Sequence, residues 1–163
     1  MKVNVVGLGK LGLPMAAVYS SKGHAVVGVD SNPELLLKLK SGECPYQETD
    51  LAHYLRNTHI EFTSNPSKSA DLTFVVVPTP SDVNGRFRVE FIDSALSKLT
   101  THNPVVIVST VMPGDVRRLR TKYNLKLIYN PEFIALGSVI QNMLHPDSIL
   151  IGAEGVEANV LAE

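Results

Sequence analysis

Three glycines near the N-terminus have the spacing of a phosphate-binding turn. The segment Gly7-Leu8-Gly9-Lys10-Leu11-Gly12 follows an apolar run at residues 3–6 and opens a segment with helical spacing. In such a turn the first glycine permits a tight bend, the second lets a pyrophosphate approach the backbone, and the third allows close helix packing. The N–H groups of the first helical turn then face the phosphates. The pattern predicts a dinucleotide site with six residues: Gly7, Leu8, Gly9, Lys10, Leu11 and Gly12.

An acidic residue stands where the adenine-side ribose of a dinucleotide would lie. Asp30 follows a second apolar run, eighteen residues after Gly12 (30 − 12), close to the ~20 expected of this motif. Its carboxylate can accept hydrogen bonds from both ribose hydroxyls but would repel a 2′-phosphate, and neither Ser31 nor Asn32 offers a cation to bind one. The sequence therefore predicts NAD as the cofactor in preference to NADP. The alternative is that the glycines serve only the turn and that Asp30 is a solvated strand end.

Short apolar runs alternate with segments of helical spacing along the whole chain. The runs are residues 3–6, 25–29, 72–77, 105–108, 125–128 and 149–151, and the helical segments are residues 11–22, 33–40, 90–99 and 115–123. Nearly continuous apolar runs are typical of strands covered on both faces. The alternation predicts a doubly wound α/β fold of three layers around a mainly parallel sheet. Residues 152–158 read as a turn that enters one more helix.

Composition limits the class of protein. A chain of 163 residues with 44% hydrophobic residues can fill one core but leaves no room for a second large domain. Fifteen basic and sixteen acidic residues give a net charge of −1, which argues against nucleic-acid or membrane binding. The single cysteine, Cys44, and the lack of Cys/His clusters predict no disulfide and no metal site. No apolar stretch approaches ~20 residues, so we expect a soluble, cytoplasmic protein.

Polar residues follow the later apolar runs, at the edge of the sheet where open α/β folds bind ligands. Two prolines would hold Thr79 in an extended loop with its hydroxyl available, although a rigid turn without ligand contact is the alternative. Ser109 and Thr110 could either contact a ligand or serve as a helix N-cap. Glu132 follows the run at residues 125–128, and a lone loop glutamate is usually a solvated surface charge.

These segments stand in register with further motifs. They are residues 42–48 (GECPYQE), 77–80 (VPTP), 109–114 (STVMPG), 130–133 (NPEF), 137–138 (GS) and 145–147 (HPD). In this order, over essentially the whole chain, they resemble the N-terminal half of the UDP-glucose/GDP-mannose dehydrogenase family. The resemblance implies oxidation of the C6 alcohol of a UDP- or GDP-sugar to a carboxylate, with two NAD reduced in succession.

The resemblance also assigns roles to individual residues. It implies that Glu132 helps to position the water that hydrolyses a thioester intermediate, with Thr110 beside it, so both are candidate catalytic residues. Partial enclosure would suit Glu132, because desolvation raises a carboxyl pKa toward the operating pH. The further cofactor contacts implied are Pro78, Thr79, Thr110 and Glu132, and the substrate contacts implied are Glu132, Phe133 and Gly137.

In the family the cysteine nucleophile and its lysine, asparagine and aspartate helpers lie beyond the matched part. Cys44 falls in a segment where the family has no catalytic cysteine, so we expect the 163-residue chain to bind NAD without completing the oxidation. It is interpreted as one NAD-binding domain, residues 1–163, cut before the central helix and substrate domain of a protein that forms a homodimer. Leu136 stands where the family usually has a charged or polar residue, so either the sugar differs or this copy has diverged.

Two other functions remain open from the sequence. One is a stand-alone NAD-binding or interaction module that has lost catalysis. An open reading frame that continues past Glu163 into a cysteine-containing segment would exclude it. The other is a β-hydroxyacid-type dehydrogenase, which shares the glycine turn and would be favoured only if the motifs around Thr110 and Glu132 were accidental.

Overall fold

The protein, described by a computed structural model over residues 1–153, is built on one sheet of six parallel strands. The strands are β1 (Lys2–Val6), β2 (Ala25–Val29), β3 (Ile60–Thr63), β4 (Leu72–Val75), β5 (Val105–Ile107) and β6 (Leu127–Tyr129). Their order is β3-β2-β1-β4-β5-β6, so the chain winds outward in one direction from β1 and then in the other from β4. The doubly wound fold predicted from the sequence is confirmed. Every strand pair is parallel.

Helices cover both faces of this sheet. They are α1 (Gly12–Ser21), α2 (Pro33–Lys40), α3 (Leu51–Asn57), α4 (Glu90–Leu96), α5 (Asp115–Tyr123) and α6 (Val139–Leu144). Along β5, Val106 belongs to the core under α1 and α6, whereas Val105 and Ile107 belong to the core under α4 and α5. This alternation of side chains buries the strands other than β3 on both faces. It explains why the strands read as continuous apolar runs and confirms the three-layer prediction.

One predicted strand is wrong. Residues 149–151 form no strand, and the chain there makes a single antiparallel bridge between Tyr129 and Gly152 at the edge of β6. Ile149 and Leu150 are 66% and 49% exposed, so the apolar run lacks the burial on both faces that defines an inner strand. The helix predicted to follow Gly152 lies outside the described residues.

Three short elements were not predictable from the sequence. Strand β3 lies at the edge of the sheet and is interrupted by the exposed Glu61, so it lacks a continuous apolar run. Helices α3 and α6 have seven and six residues, too few to display a clear helical period. These elements matter because the loops that precede α3 and α6 lie at the carboxyl ends of the strands, where open α/β sheets bind ligands.

The start of α2 fixes the chain immediately after Asp30. Asn32 caps the helix, since its side-chain oxygen accepts hydrogen bonds from the N–H groups of Glu34 and Leu35 at 3.0 and 3.2 Å. Pro33 occupies the first helical position, where its missing N–H has no consequence. Asp30 is thereby held between a buried strand and a capped helix.

Within residues 1–153, no helix has the length and apolar character needed to cross a membrane.

Candidate dinucleotide site

The three glycines of the turn meet three different steric conditions. Gly7 adopts a positive φ of 98°, and a Cβ there would lie 2.1 Å from the carbonyl oxygen of Val76. A Cβ on Gly12 would lie 1.8 Å from the Gly7 carbonyl oxygen, so α1 can pack this closely only without a side chain. A Cβ on Gly9 would meet nothing within 4 Å. The space over Gly9 is open, as a ligand approaching the backbone requires.

Unpaired N–H groups follow these glycines. Those of Lys10, Leu11 and Gly12 make no hydrogen bond to another residue in the described part of the chain. They lie at the start of α1, which has ten residues, so the positive end of the helix dipole coincides with the free donors. Such a helix start binds phosphate groups well. The turn therefore fits the pyrophosphate of a dinucleotide.

Asp30 is fastened to the glycine turn. One carboxylate oxygen accepts the N–H of Leu8 at 2.8 Å, and the other accepts the N–H of Asn32 at 2.8 Å. Each oxygen retains a lone pair that could accept a ribose hydroxyl. The two backbone bonds hold the carboxylate in one orientation before any ligand binds.

A crevice of about 710 Å³ runs along the carboxyl ends of β1, β2, β4 and β5, a volume within the range of small-molecule sites. It passes the point where the strand order reverses, which is where open α/β sheets bind ligands. The predicted cofactor residues that line it are Gly7, Gly9, Lys10, Leu11, Gly12, Asp30, Pro78, Thr79, Thr110 and Glu132.

Leu8 does not line this crevice. Its side chain is fully buried in the core and would touch a Cβ on Gly28 at 3.2 Å. The contribution of Leu8 is through its backbone, since its N–H binds Asp30 and its carbonyl oxygen accepts the hydroxyl of Tyr46.

The fold brings to the same crevice several residues that the sequence did not indicate as site residues. They are Tyr46 from the loop after α2, Ser64 and Pro66 from the segment after β3, and Phe91, Ser94, Ala95, Lys98 and Leu99 from α4 and the turn after it. Tyr46 lies in the segment at residues 42–48 that contributes to the family resemblance, although that resemblance gave it no role, and the others lie in no motif. Only the strand order, which places α4 beside the glycine turn, could have indicated them.

Tyr46 stands out among these because it contacts the turn directly. Its hydroxyl donates to the carbonyl oxygen of Leu8 at 3.0 Å. Burial, and then the negative charge of Asp30, raise the pKa of the Tyr46 hydroxyl. It remains a neutral hydrogen-bond donor beside the predicted ribose position.

Ser109 has a structural role that the sequence did not indicate. Its buried hydroxyl accepts the N–H of Val77 at 2.9 Å and donates to the Val77 carbonyl oxygen at 2.7 Å. The N-cap interpretation of Ser109 and Thr110 is wrong, because α5 begins later, with Gly114 at its N-cap position. Ser109 instead holds the loops after β4 and β5 together, and Thr110 is left exposed at the crevice.

The neighbouring hydroxyls should therefore respond differently to removal. Ser109→Ala leaves the buried N–H and carbonyl of Val77 without their partner, so we expect a loss of about 1–3 kcal/mol in the free energy of unfolding. Thr110→Ala should change stability by no more than about 0.5 kcal/mol. Urea denaturation of both variants measures the difference, and equal losses would contradict the division of roles.

Glu132 projects into the crevice from the loop after β6. It is half-buried, and its carboxylate forms no hydrogen bond or ion pair with another of residues 1–153. Burial raises the pKa of this carboxyl, and the charge of Glu132 adds to burial in raising the pKa of the Tyr19 hydroxyl. An enclosed, unpaired carboxylate with a raised pKa is suited to accepting a proton from water.

The raised pKa of Glu132 implies a pH-dependent cost to stability. The pKa of Glu132 in the folded state lies above its unfolded value, near 4.5. The folded state is therefore stabilised relative to the unfolded state while Glu132 is protonated, and it loses stability as the pH rises through the folded-state pKa. Glu132→Gln, neutral at every pH, should raise Tm above that of the wild type at about pH 7.5 and match it at about pH 3.5. Scanning calorimetry at the two pH values, with the exposed Glu61→Gln as control, measures this. A lower Tm for Glu132→Gln at the higher pH would contradict it.

Two predicted substrate contacts lie outside the crevice. The side chain of Phe133 is 65% exposed, and the N–H of Gly137 donates to Glu48 at 2.7 Å. Leu136, on the same loop, is 64% exposed. The loop at residues 131–138 thus contributes Pro131 and Glu132 to the crevice lining and presents an open apolar side. In the described part of the chain no group of three or more His, Cys, Asp or Glu side chains could hold a metal ion.

Three features define a dinucleotide-binding domain of the Rossmann type. They are the glycine turn at the point where the strand order reverses, the acidic residue after β2, and the unpaired N–H groups at the start of α1. Residues 1–163 match the model of the UDP-glucose/GDP-mannose dehydrogenase family, NAD binding domain. The chain belongs to this family of oxidoreductases, and its cofactor is NAD.

Similar proteins support this assignment. UDP-glucose 6-dehydrogenase of Rickettsia prowazekii is 29% identical over an alignment of 177 positions, gaps included, which covers 99% of this chain and 41% of that protein. The structure of a UDP-glucose dehydrogenase from Pyrobaculum islandicum superposes with a TM-score of 0.88 at 27% identity, over 99% of this chain and 42% of that one.

A ternary complex of GDP-mannose dehydrogenase from Pseudomonas aeruginosa has a TM-score of 0.90 at 24% identity, over 100% of this chain and 43% of that one. At that identity the similarity concerns the fold alone. The chain spans between 19% and 41% of the length of the curated relatives that it matches.

Proposed function

We propose that this chain is the NAD-binding part of a nucleotide-sugar 6-dehydrogenase, which oxidises the C6 alcohol of a UDP- or GDP-sugar to a carboxylate with two NAD. The observation that carries the proposal is the convergence of Asp30, Thr79, Thr110 and Glu132 on one crevice with the glycine turn. Four separate segments of the chain supply these residues. In a family member, this convergence favours an NAD site with reacting groups beside it.

Each group has a task that its surroundings support. The free N–H groups after Gly9 would bind the pyrophosphate, and Asp30 would accept the ribose hydroxyls. Thr79 and Thr110 would offer hydroxyls along the cofactor. Bound there, NAD would supply the hydride acceptor of each oxidation step.

Glu132 would act on water. Its half-buried carboxylate, with a pKa raised by burial, would orient the water that releases the carboxylate product and accept a proton from it. Thr110 would assist from the neighbouring loop. Phe133 and Gly137 remain proposed substrate contacts, although neither lines the crevice.

The family resemblance implies that the complete oxidation uses residues beyond the domain that this chain matches. We propose that residues 1–163 form a single domain that binds NAD, and that a cysteine nucleophile in a separate substrate domain completes the reaction. The whole protein would then be a homodimer that takes a nucleotide sugar. A stand-alone module without catalysis is the second candidate. The specific observation that favours it is Leu136, an exposed apolar residue where the family usually has a charged or polar one.

The test is the stoichiometry of the native gene product with NAD. The purified protein is incubated with UDP-glucose, GDP-mannose and a small β-hydroxy acid in turn, and NADH formed per substrate consumed is counted. The proposal expects two NADH per nucleotide sugar and a carboxylate product. NAD binding without formation of NADH would favour the stand-alone module. Formation of one NADH per β-hydroxy acid would favour a β-hydroxyacid-type dehydrogenase.

A further inference from the structure

A short segment between α2 and α3 bridges the two halves of the site. We call residues 44–50 the strap. At one end the hydroxyl of Tyr46 donates to the carbonyl oxygen of Leu8 in the glycine turn, at 3.0 Å. Further along the strap, Glu48 reaches the loop at residues 131–138, which carries Glu132. The strap thus joins the cofactor turn to the loop that bears the proposed water-binding carboxylate.

Glu48 makes the principal contact with that loop. One of its carboxylate oxygens accepts the N–H of Gly137 at 2.7 Å, and the other accepts the N–H of Val139, the first residue of α6, at 2.8 Å. Both bonds are short and involve an ionised acceptor, so they are stronger than ordinary neutral hydrogen bonds. They connect residues 89 and 91 positions apart in the chain.

A neighbouring residue of the strap reinforces this junction. Asp50 accepts a hydrogen bond from the side-chain amide of Gln141 at 3.3 Å. Asp50 has a φ of 64°, a left-handed conformation that is uncommon for residues other than glycine. A costly backbone conformation persists where surrounding contacts fix it, and here it turns the chain from the strap into α3.

The loop at residues 131–138 has little else to hold it. Within residues 1–153 its other hydrogen bonds are local: the N–H of Ala135 donates to the side chain of Asn142, the N–H of Ser138 to the Ala135 carbonyl, and the N–H of Asn142 to the Ser138 carbonyl. Phe133 and Leu136 are mostly exposed, so these side chains add little packing. The position of the loop therefore depends strongly on Glu48.

We propose that Glu48 is a positioning residue that holds the loop at residues 131–138, and with it the Glu132 carboxylate, against the NAD crevice. Glu48 does not line the crevice itself and so acts through the loop. The inference rests on the proposed function, because that function is what gives the position of the Glu132 carboxylate a role in the reaction. The contact itself can be tested without any reaction.

The test compares Glu48→Gln with Glu43→Gln in the full 163-residue chain. Glutamine keeps the shape of Glu48 but replaces one acceptor with a donor, so at least one of the two N–H groups loses its partner. Glu43 lies in the same region on the surface, where it pairs with Lys38 at 3.7 Å, and its replacement controls for the loss of one negative charge. Amide hydrogen exchange and NMR titration of the Glu132 carboxyl are measured in both variants.

We expect exchange at Gly137 or Val139 to accelerate by about tenfold or more in Glu48→Gln, as the loss of a charge-assisted hydrogen bond implies. The pKa of Glu132 should fall toward its ordinary value as the freed loop exposes the carboxyl. Unchanged exchange and an unchanged Glu132 titration in a folded Glu48→Gln variant would overturn the proposal.

A measurement on the wild type keeps the test independent of variant folding. In the wild type the amides of Gly137 and Val139, which donate to Glu48, should be protected from hydrogen exchange, and exchange at the rate of an unstructured amide would refute the contact. If the wild type failed to bind NAD, the proposed function would fail while these exchange rates still decided the role of Glu48.

Discussion

Gly12→Ala is expected to destabilise the domain by about 3 kcal/mol or more, at the upper end of overpacking effects. The added Cβ would lie 1.8 Å from the Gly7 carbonyl oxygen and 3.0 Å from its carbonyl carbon. These are backbone atoms of the turn and cannot rotate away as a side chain would. Relief requires α1 to move off the sheet, which disturbs the core beneath it. Urea denaturation followed by circular dichroism measures the loss.

Gly9→Ala is the matched variant, with the opposite expected result. A Cβ at Gly9 meets nothing within 4 Å, so stability should change by no more than about 0.5 kcal/mol. The methyl group would occupy the space where the pyrophosphate approaches the backbone, so NAD affinity should fall by about tenfold or more. If Gly9→Ala were unstable, or if it bound NAD like the wild type, the separation of roles within the turn would be wrong.

Asp30→Ala is expected to weaken NAD binding by about 1–3 kcal/mol, the cost of losing charge-assisted hydrogen bonds to the ribose. The substitution also frees the N–H groups of Leu8 and Asn32, which the carboxylate now holds at 2.8 Å. Part of the loss in NAD affinity should therefore come from disorder of the glycine turn. Isothermal titration calorimetry with NAD gives the change in affinity.

Asp71→Ala is the control for this experiment. Asp71 also accepts a backbone N–H, that of Lys2 at 2.7 Å. It precedes β4 and so lies at the amino ends of the strands, whereas the crevice lies at their carboxyl ends. Its removal should leave NAD affinity within about twofold of the wild type. Asp30→Asn adds a second test, since loss of the charge should narrow the preference for NAD over NADP. Unchanged NAD affinity in Asp30→Ala would refute the ribose assignment.

Much of the fold followed from the sequence because parallel strands that are buried on both faces leave a strong pattern. Five of the six apolar runs became strands, since each is covered by helices on both faces. The run at residues 149–151 failed because hydrophobicity alone cannot distinguish a buried strand from an exposed apolar edge. Strand β3 was missed for the converse reason, as an edge strand with the polar residue Glu61 at its centre.

The site divided along similar lines. The glycine turn and Asp30 were predictable because their spacing is local and each position has its own steric or electrostatic reason. Tyr46 and Glu48 were not, because their partners Leu8, Gly137 and Val139 lie 38 to 91 residues away. Ser109 could be recognised as a candidate hydroxyl, but its bonding to Val77 depends on how two neighbouring strand ends meet.

The most direct test of the NAD site is the calorimetric titration of the wild-type chain with NAD and NADP under identical conditions. We predict that NAD binds and that NADP binds at least about tenfold more weakly, because the fixed carboxylate of Asp30 repels a 2′-phosphate. Equal affinity for the two cofactors, or a preference for NADP, would contradict the role of Asp30 and the assignment of the crevice as an NAD site.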